Sequence, residues 1–195
     1  AASSTASTTM NSARGAAKKA LQEVLDLLKA SQKPDSSVQR NVYQKFEELR
    51  THSEFNQCLA YIFANGSRVD NNTRRQAGLI LRGNLADSKV YINMPANVRS
   101  QVKETILRSI GDSQKQIRKT VGSILATIAA LEECDGWQSL LMMLVQNLDN
   151  PNSNVQDGAM LVLEALLEDC RADLEKRYPK DMQRIIAKLV TKVVS

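Results

Sequence analysis

The sequence predicts an all-α fold, a right-handed α-α superhelix of about four and a half antiparallel helix pairs. Three observations predict it. A polar opener, a small or β-branched residue and then a helical apolar stripe recur at Val38-Gln39-Arg40-Asn41-Val42, Thr73-Arg74-Arg75-Gln76-Ala77, Ile117-Arg118-Lys119-Thr120-Val121 and Val155-Gln156-Asp157-Gly158-Ala159. Their starts are 35, 44 and 38 residues apart, and an irregular period of roughly 40 residues with two helices per unit belongs to a solenoid. The chain is 43% hydrophobic but only 4% aromatic: enough Leu, Ile, Val and Ala for a core, without the aromatic and β-branched runs of a sheet. All four prolines fall at or near the ends of the helices assigned below, where a missing N–H does least harm.

Residues 1–17 read as a flexible leader rich in Ala, Ser and Thr, and residues 18–195 as the solenoid. The first helix carries Leu21, Val24, Leu25, Leu27 and Leu28 and stops at Pro34. Asp35 to Ser37 are N-cap candidates for the second, which buries Val38, Val42, Phe46 and Leu49. Ser53-Glu54 opens a third with Phe55, Leu59, Ile62 and Phe63; Asn65-Gly66 breaks it, and Asn71-Asn72-Thr73 caps a fourth running through Leu85. A fifth starts at Pro95, with Val98, Val102, Ile106 and Ile110 at steps of four. Gly111 is the expected C-cap glycine, followed by Asp112 and Ser113 as N-cap candidates for a sixth helix reaching Leu131.

Trp137 to Leu148 is the seventh helix, Asn150-Pro151 a stop and restart, and Val155 to Cys170 the eighth. A ninth, from Lys180 to Val194, carries Met182, Ile185, Ile186, Leu189 and Val190, with Val193 and Val194 near its end. Solenoid repeats cover one another's apolar flanks. Ile185, Ile186 and Leu189 are therefore expected to be exposed, and the chain to be the N-terminal piece of a longer protein. Val42, Ile80, Leu81, Ile106, Val121, Ile124, Leu141, Leu144 and Leu163 are the expected core.

Catalytic chemistry is not expected. Cys58, Cys134 and Cys170 are far apart and form no CxxC pair, so they suggest neither a disulfide framework nor a zinc site. The one histidine, His52, falls at a helix end with no nucleophile in a recognised motif beside it. Glu47-Glu48 and Glu132-Glu133 occupy adjacent helical positions that point apart, so they read as solvated faces. A net charge of +5, spread along the chain, is weak support for nucleic-acid binding. No apolar run reaches the roughly 18 residues that would cross a bilayer. Gly78, Gly83, Gly122 and Gly158 lie inside second helices, where each costs roughly 1 kcal/mol relative to Ala. Either close helix packing or a partner lying against the helix would compensate.

Pro34-Asp35-Ser36-Ser37-Val38-Gln39-Arg40, Gln44-Lys45-Phe46-Glu47, Phe55-Asn56 and the block from Thr73 to Leu85 resemble the N-terminal region of the importin-β (karyopherin-β) receptors. Ile110-Gly111-Asp112-Ser113, Ile117-Arg118, Thr120-Val121-Gly122, Trp137 and Leu140-Leu141 are most similar to the transportin (karyopherin-β2) branch. The likeness runs from about Leu21 to Glu168 and departs at Arg82-Gly83, where the family usually carries Lys-Asn.

This resemblance implies about four and a half HEAT repeats of a nucleocytoplasmic transport receptor, a non-enzyme without cofactors that shuttles between cytoplasm and nucleus. Its implied partners are Ran GTPase in the GTP form, held by the second helices on the concave face, and cargo proteins and nucleoporins bound through repeats absent from this chain. Cargo would be released in the nucleus when Ran-GTP binds. No nucleic-acid or membrane partner and a monomeric state are expected. A generic HEAT scaffold in a cytosolic complex, without Ran dependence, is the alternative.

At about 100° per residue, Thr73, Ile80, Leu81 and Asn84 share the face of Ala77, while Arg75, Leu79 and Arg82 lie opposite. Leu79 is then an exposed apolar residue between two arginines, the make-up of an interface anchor with a charged rim. Equivalent positions in the other repeats are Arg40, Gln44 and Glu47; Lys119, Ser123 and Ala126; and Asp157, Leu161 and Glu164. With Gly83 they make the expected Ran-binding stripe, basic at one end and acidic at the other. Arg74 and Arg118 point toward the adjoining repeat, with Asp70 and Asp112 in the turns before them. A structural ladder between repeats and a contact with Ran both fit these positions.

Overall fold

A computed structural model describes residues 2–194, and the side chains of residues 15–191. Among the described residues there are helices and no strands: α1 (Ala2–Ser31), α2 (Ser36–Leu49), α3 (Ser53–Ala64), α4 (Asn71–Ala86), α5 (Ser88–Asn93), α6 (Ala96–Leu107), α7 (Lys115–Leu131), α8 (Gln138–Asn147), α9 (Ser153–Asp169), α10 (Arg171–Arg177) and α11 (Pro179–Val194). Four pairs form, α1 with α2, α3 with α4, α6 with α7 and α8 with α9, and α11 packs on α8 to begin a fifth. In one layer α1, α3 and α6 lie side by side; in the other α4, α7 and α9 do.

Two short helices, α5 and α10, join the pairs in segments to which no helix was assigned from the sequence. Asp87 starts α5 by accepting the Lys89 N–H at 3.0 Å, and Val90 and Tyr91 are buried. Helix α1 begins at Ala2, within the leader, which is rich in alanine, the strongest helix former, and has no proline before Pro34. Asp35 and Asn152 cap α2 and α9. The cap of α4 is Asp70, whose carboxylate accepts the Thr73 N–H at 2.9 Å, rather than Asn71 to Thr73. Gly111 is not a left-handed cap, since α6 already ends at Leu107. A Cβ there would come within 2.6 Å of the Val155 side chain, so its smallness serves packing. The left-handed residues are Glu133, Cys134 and Gly136, in the turn from α7 to α8.

Of the expected core, Val42, Leu81, Ile106, Val121, Ile124, Leu141, Leu144 and Leu163 are buried, and Ile80 is half-buried against them. Ile185, expected at an open flank, is buried with Met182, while Ile186 and Val190 of the same helix are exposed. The side chains of Val193 and Val194 lie outside the described residues.

Three helical glycines account for the closeness of the layers. A Cβ at Gly78 would stand 2.5 Å from the Phe63 ring; at Gly122 it would stand 2.8 Å from the Leu161 carbonyl oxygen, and at Gly158 1.7 Å from that of Ile110. Close packing thus offsets their low helix propensity. Gly83 differs, because no neighbouring atom lies within 4 Å of the Cβ position.

Candidate functional site

On α4 the stripe of Arg75, Leu79, Arg82 and Gly83 is exposed, with Leu79 53% accessible. Its opposite face is in the core: Thr73, Ala77, Leu81 and Asn84 are buried, and the Asn84 side-chain amide donates to the Asn56 side-chain oxygen at 2.9 Å. On α2 Arg40, Gln44 and Glu47 are exposed, and Glu47 pairs with Arg50 at 3.2 Å. Tyr43, 60% exposed and edge-on to Phe46, is a large apolar group on this helix that the repeat pattern passed over. Its signal is its sequence place, between Arg40 and Glu47 and off the Val42–Phe46 stripe.

The stripe narrows along the stack. Lys119 and Glu164 are exposed, but Ser123 and Leu161 are half-buried and Ala126 is fully buried, its carbonyl facing the Cys170 thiol at 3.6 Å. Gly122 lets α9 approach α7 closely, with the Leu161 carbonyl oxygen 2.8 Å from its Cβ position, so positions on the facing sides of these two helices lose exposure. Asp157, expected on the stripe, keeps 37% of its side chain exposed and is also engaged in a ladder between repeats. Its Oδ2 accepts from Arg118 Nε at 2.8 Å and pairs with Nη2 at 2.7 Å.

That ladder starts one repeat earlier. Arg74 donates through Nε to the Phe63 carbonyl at 2.8 Å and through Nη1 to Asn71 at 3.2 Å, and its Nη2 is ion-paired with the Asp112 carboxylate. Arg118 donates through Nη1 to the Asp112 backbone carbonyl. Asp112 therefore serves both arginines, one with its side chain and one with its main chain. At 2% and 6% exposure, Arg74 and Arg118 are held inside the stack rather than offered at its surface. Asp70 is no rung: it caps α4, and the bond from the Thr73 N–H holds its carboxyl below the usual range.

A second polar node went unread in the sequence, where Glu132 passes for a solvated residue. Only a fifth of its side chain is exposed. It accepts from the Tyr91 hydroxyl of α5, from Lys103 Nζ of α6 at 2.8 Å and from Trp137 Nε1 at 2.7 Å. Burial raises its pKa, but the bonds from Lys103, Tyr91 and Trp137 outweigh that and hold it below the ordinary glutamate value. Burial, then the bond to Glu132, pushes the Tyr91 hydroxyl well up. On its other side the turn is gripped by Tyr178, whose hydroxyl donates to the Cys134 carbonyl at 2.9 Å. Among the described residues no three His, Cys, Asp or Glu side chains gather as metal ligands, and no helix is long and apolar enough to cross a membrane.

Residues 42–112, from α2 through the turn before α7, match the model of the importin-β N-terminal domain. The chain carries an importin-β N-terminal domain. The matched span contains both the Leu79 stripe and the Arg74–Asp112 pair. The chain is 39% identical over 149 residues to transportin-1 of human and mouse, covering 76% of this chain and 16% of theirs. It is 30% identical over 159 residues to transportin-1 of rice, covering 82% of this chain and 18% of that one. It thus spans less than a fifth of the length of these curated relatives. The fold is that of yeast importin-β (Kap95p), with a TM-score of 0.69 at 19% identity over 77% of this chain and 19% of that one. It superposes equally on Kap95p in the structure where its binding induces the switch loops of RanGDP to adopt the GTP-bound conformation, with a TM-score of 0.70 at 18% identity and the same coverage. The eleven helices of the described residues therefore build a HEAT-repeat solenoid of the importin-β kind.

Proposed function

We propose that this chain is the Ran-GTP-binding end of a transportin-like nuclear transport receptor, which carries cargo into the nucleus and releases it when Ran-GTP binds. The outward stripe of α4 carries the proposal. Leu79 stands exposed between Arg75 and Arg82, beside Gly83, whose missing side chain no internal contact requires. An apolar anchor ringed by guanidinium groups suits a protein surface with acidic patches. Solenoid curvature makes one layer of helices a concave binding surface, and Arg40, Gln44, Lys119 and Glu164 extend the stripe along the second helices. The similarity to transportin-1, and a structural neighbour bound to Ran, support the choice of partner.

On this proposal the full receptor shuttles between cytoplasm and nucleus as a monomer, without catalytic chemistry, and binds cargo and nucleoporins through repeats outside this chain. Calorimetry with Ran loaded with a non-hydrolysable GTP analogue or with GDP tests it. Binding that favours the GTP state is expected; equal affinity for the two states would leave a HEAT scaffold without Ran dependence.

A further inference from the structure

Between α1, the end of α2 and the start of α3 lies a groove of about 790 Å³. Val24, Leu27, Leu49, Phe55 and Cys58 line it with apolar surface, and of these Leu27, Leu49 and Cys58 are only half-buried. Three exposed carboxylates, Glu23, Asp26 and Glu54, stand around it; Glu23 makes a long, solvent-exposed pair with Lys19 at 3.9 Å, and Asp26 accepts from the neutral Gln22 amide at 2.9 Å. Lys45, on the same edge, is engaged by Glu48 at 2.9 Å. An apolar groove edged with acid is thus set in a chain whose net charge is +5. None of its lining residues lies on α4, so it is separate from the Leu79 stripe.

We propose that this groove docks a basic amphipathic helix of a partner protein. Leu- or Ile-like side chains would cover the half-buried floor, and Lys or Arg on the flanks would meet Glu23, Asp26 and Glu54, as in other helix-in-groove complexes. Charge complementarity fixes the occupant. The Val24, Leu27, Leu49 and Phe55 side chains of the floor are apolar and suit an apolar face, while the carboxylates attract a cationic segment and repel an acidic one of the same apolar face.

Cys58 makes the test specific, since it sits in the groove while Cys134 and Cys170 are buried elsewhere. Alkylation by iodoacetamide is followed by mass spectrometry at each cysteine, with a synthetic Leu/Lys amphipathic peptide of about five helical turns as the probe and a Leu/Glu peptide as its counterpart. The Leu/Lys peptide is expected to slow modification of Cys58 by about fivefold or more, and the Leu/Glu peptide to leave it unchanged. Glu23→Lys with Asp26→Lys should abolish the protection while circular dichroism and the peptide-free rate at Cys58 stay as they were. Should that variant fold poorly, Glu23→Gln with Asp26→Asn should weaken the protection in the same direction. No protection, equal protection by both peptides, or full protection in a folded variant would overturn the proposal. So would protection that grows with protein concentration in the absence of peptide, which would make the occupant a second copy of the chain.

Discussion

Arg74 of α4 and the Asp112 carboxylate, in the turn between α6 and α7, form a buried ion pair that fastens the second helix pair to the third. Its two ends differ in what they have to spare. Arg74 also holds the Phe63 carbonyl and Asn71, and so is fully occupied, whereas Asp112 has one further bond, from the Gln114 N–H at 2.9 Å. Asp112→Ala would leave a guanidinium group that is 2% exposed without its counter-charge. A loss of about 3–5 kcal/mol in urea unfolding is expected. Asp157→Ala should cost clearly less, because Asp157 is 37% exposed and Arg118 keeps the carbonyls of Asp112 and Ser113.

The helical glycines make opposite predictions at two sites. Gly158→Ala would drive a methyl group into the Ile110 carbonyl, 1.7 Å from the Cβ position, and α9 must move off the α6–α7 turn to admit it. Destabilisation of about 1–3 kcal/mol or more is expected. Gly83→Ala meets nothing within 4 Å and should raise stability by about 0.5–1 kcal/mol. Paired thermal melts of the two variants decide this.

Helix order was legible in the sequence because its signals are local. Pro34, Pro95 and Pro151, and the apolar steps from Val98 to Ile106, need no knowledge of the neighbouring repeat. The stripe on α4 was legible for the same reason: opposite Ala77 there is only Arg75, Leu79 and Arg82. What failed depends on contacts between repeats. Ala126 and Asp157 occupy the same helical positions as Arg82 and Arg75, but Gly122 brings α9 close to α7 on the side of Ala126, and Asp157 is engaged by Arg118 of the preceding repeat. The carboxylate that serves Arg74 is one repeat ahead at Asp112, although Asp70 is nearer in sequence and equally suited on paper. Glu132 beside Glu133 looks like a solvated pair, because nothing local tells that Tyr91, Lys103 and Trp137 converge on one of them. At six and seven residues, α5 and α10 are too short to show a helical period.

Glu132 should make stability depend on acid. Its folded pKa lies below the ordinary glutamate value, so the ionised form favours the folded state. That contribution is fully present above the unfolded pKa of about 4.3 and is lost as pH falls through the lower folded value. Glu132→Gln keeps the shape but weakens bonds from an ammonium, a phenol and an indole, and about 1–3 kcal/mol should be missing at neutral pH. Melting temperatures of the two proteins should converge as pH falls from about 4.3 downward. A gap that stays constant to pH 3 would assign the node to shape rather than charge.

The α4 stripe makes the most direct prediction about function. If Leu79 is the desolvated centre of the Ran contact, Leu79→Asp places a charge there and should cost at least about 2 kcal/mol of binding to Ran-GTP, while leaving the fold intact because the wild-type side chain is already 53% exposed. Arg82 lies at the rim. Arg82→Ala should therefore chiefly slow association and reduce its salt sensitivity, with little change in the dissociation rate. Gly83→Ala adds a third readout: if Ran's backbone lies close against α4, the methyl group that stabilises the free protein should weaken the complex. Contacts made by later repeats would add avidity, so the present chain should bind more weakly than a complete receptor. Calorimetry with both nucleotide states and stopped-flow kinetics at two salt concentrations would measure all of this on one set of proteins. A folded Leu79→Asp variant with undiminished affinity would move the contact off α4, to the exposed Tyr43 of α2 or the Lys119 end of α7.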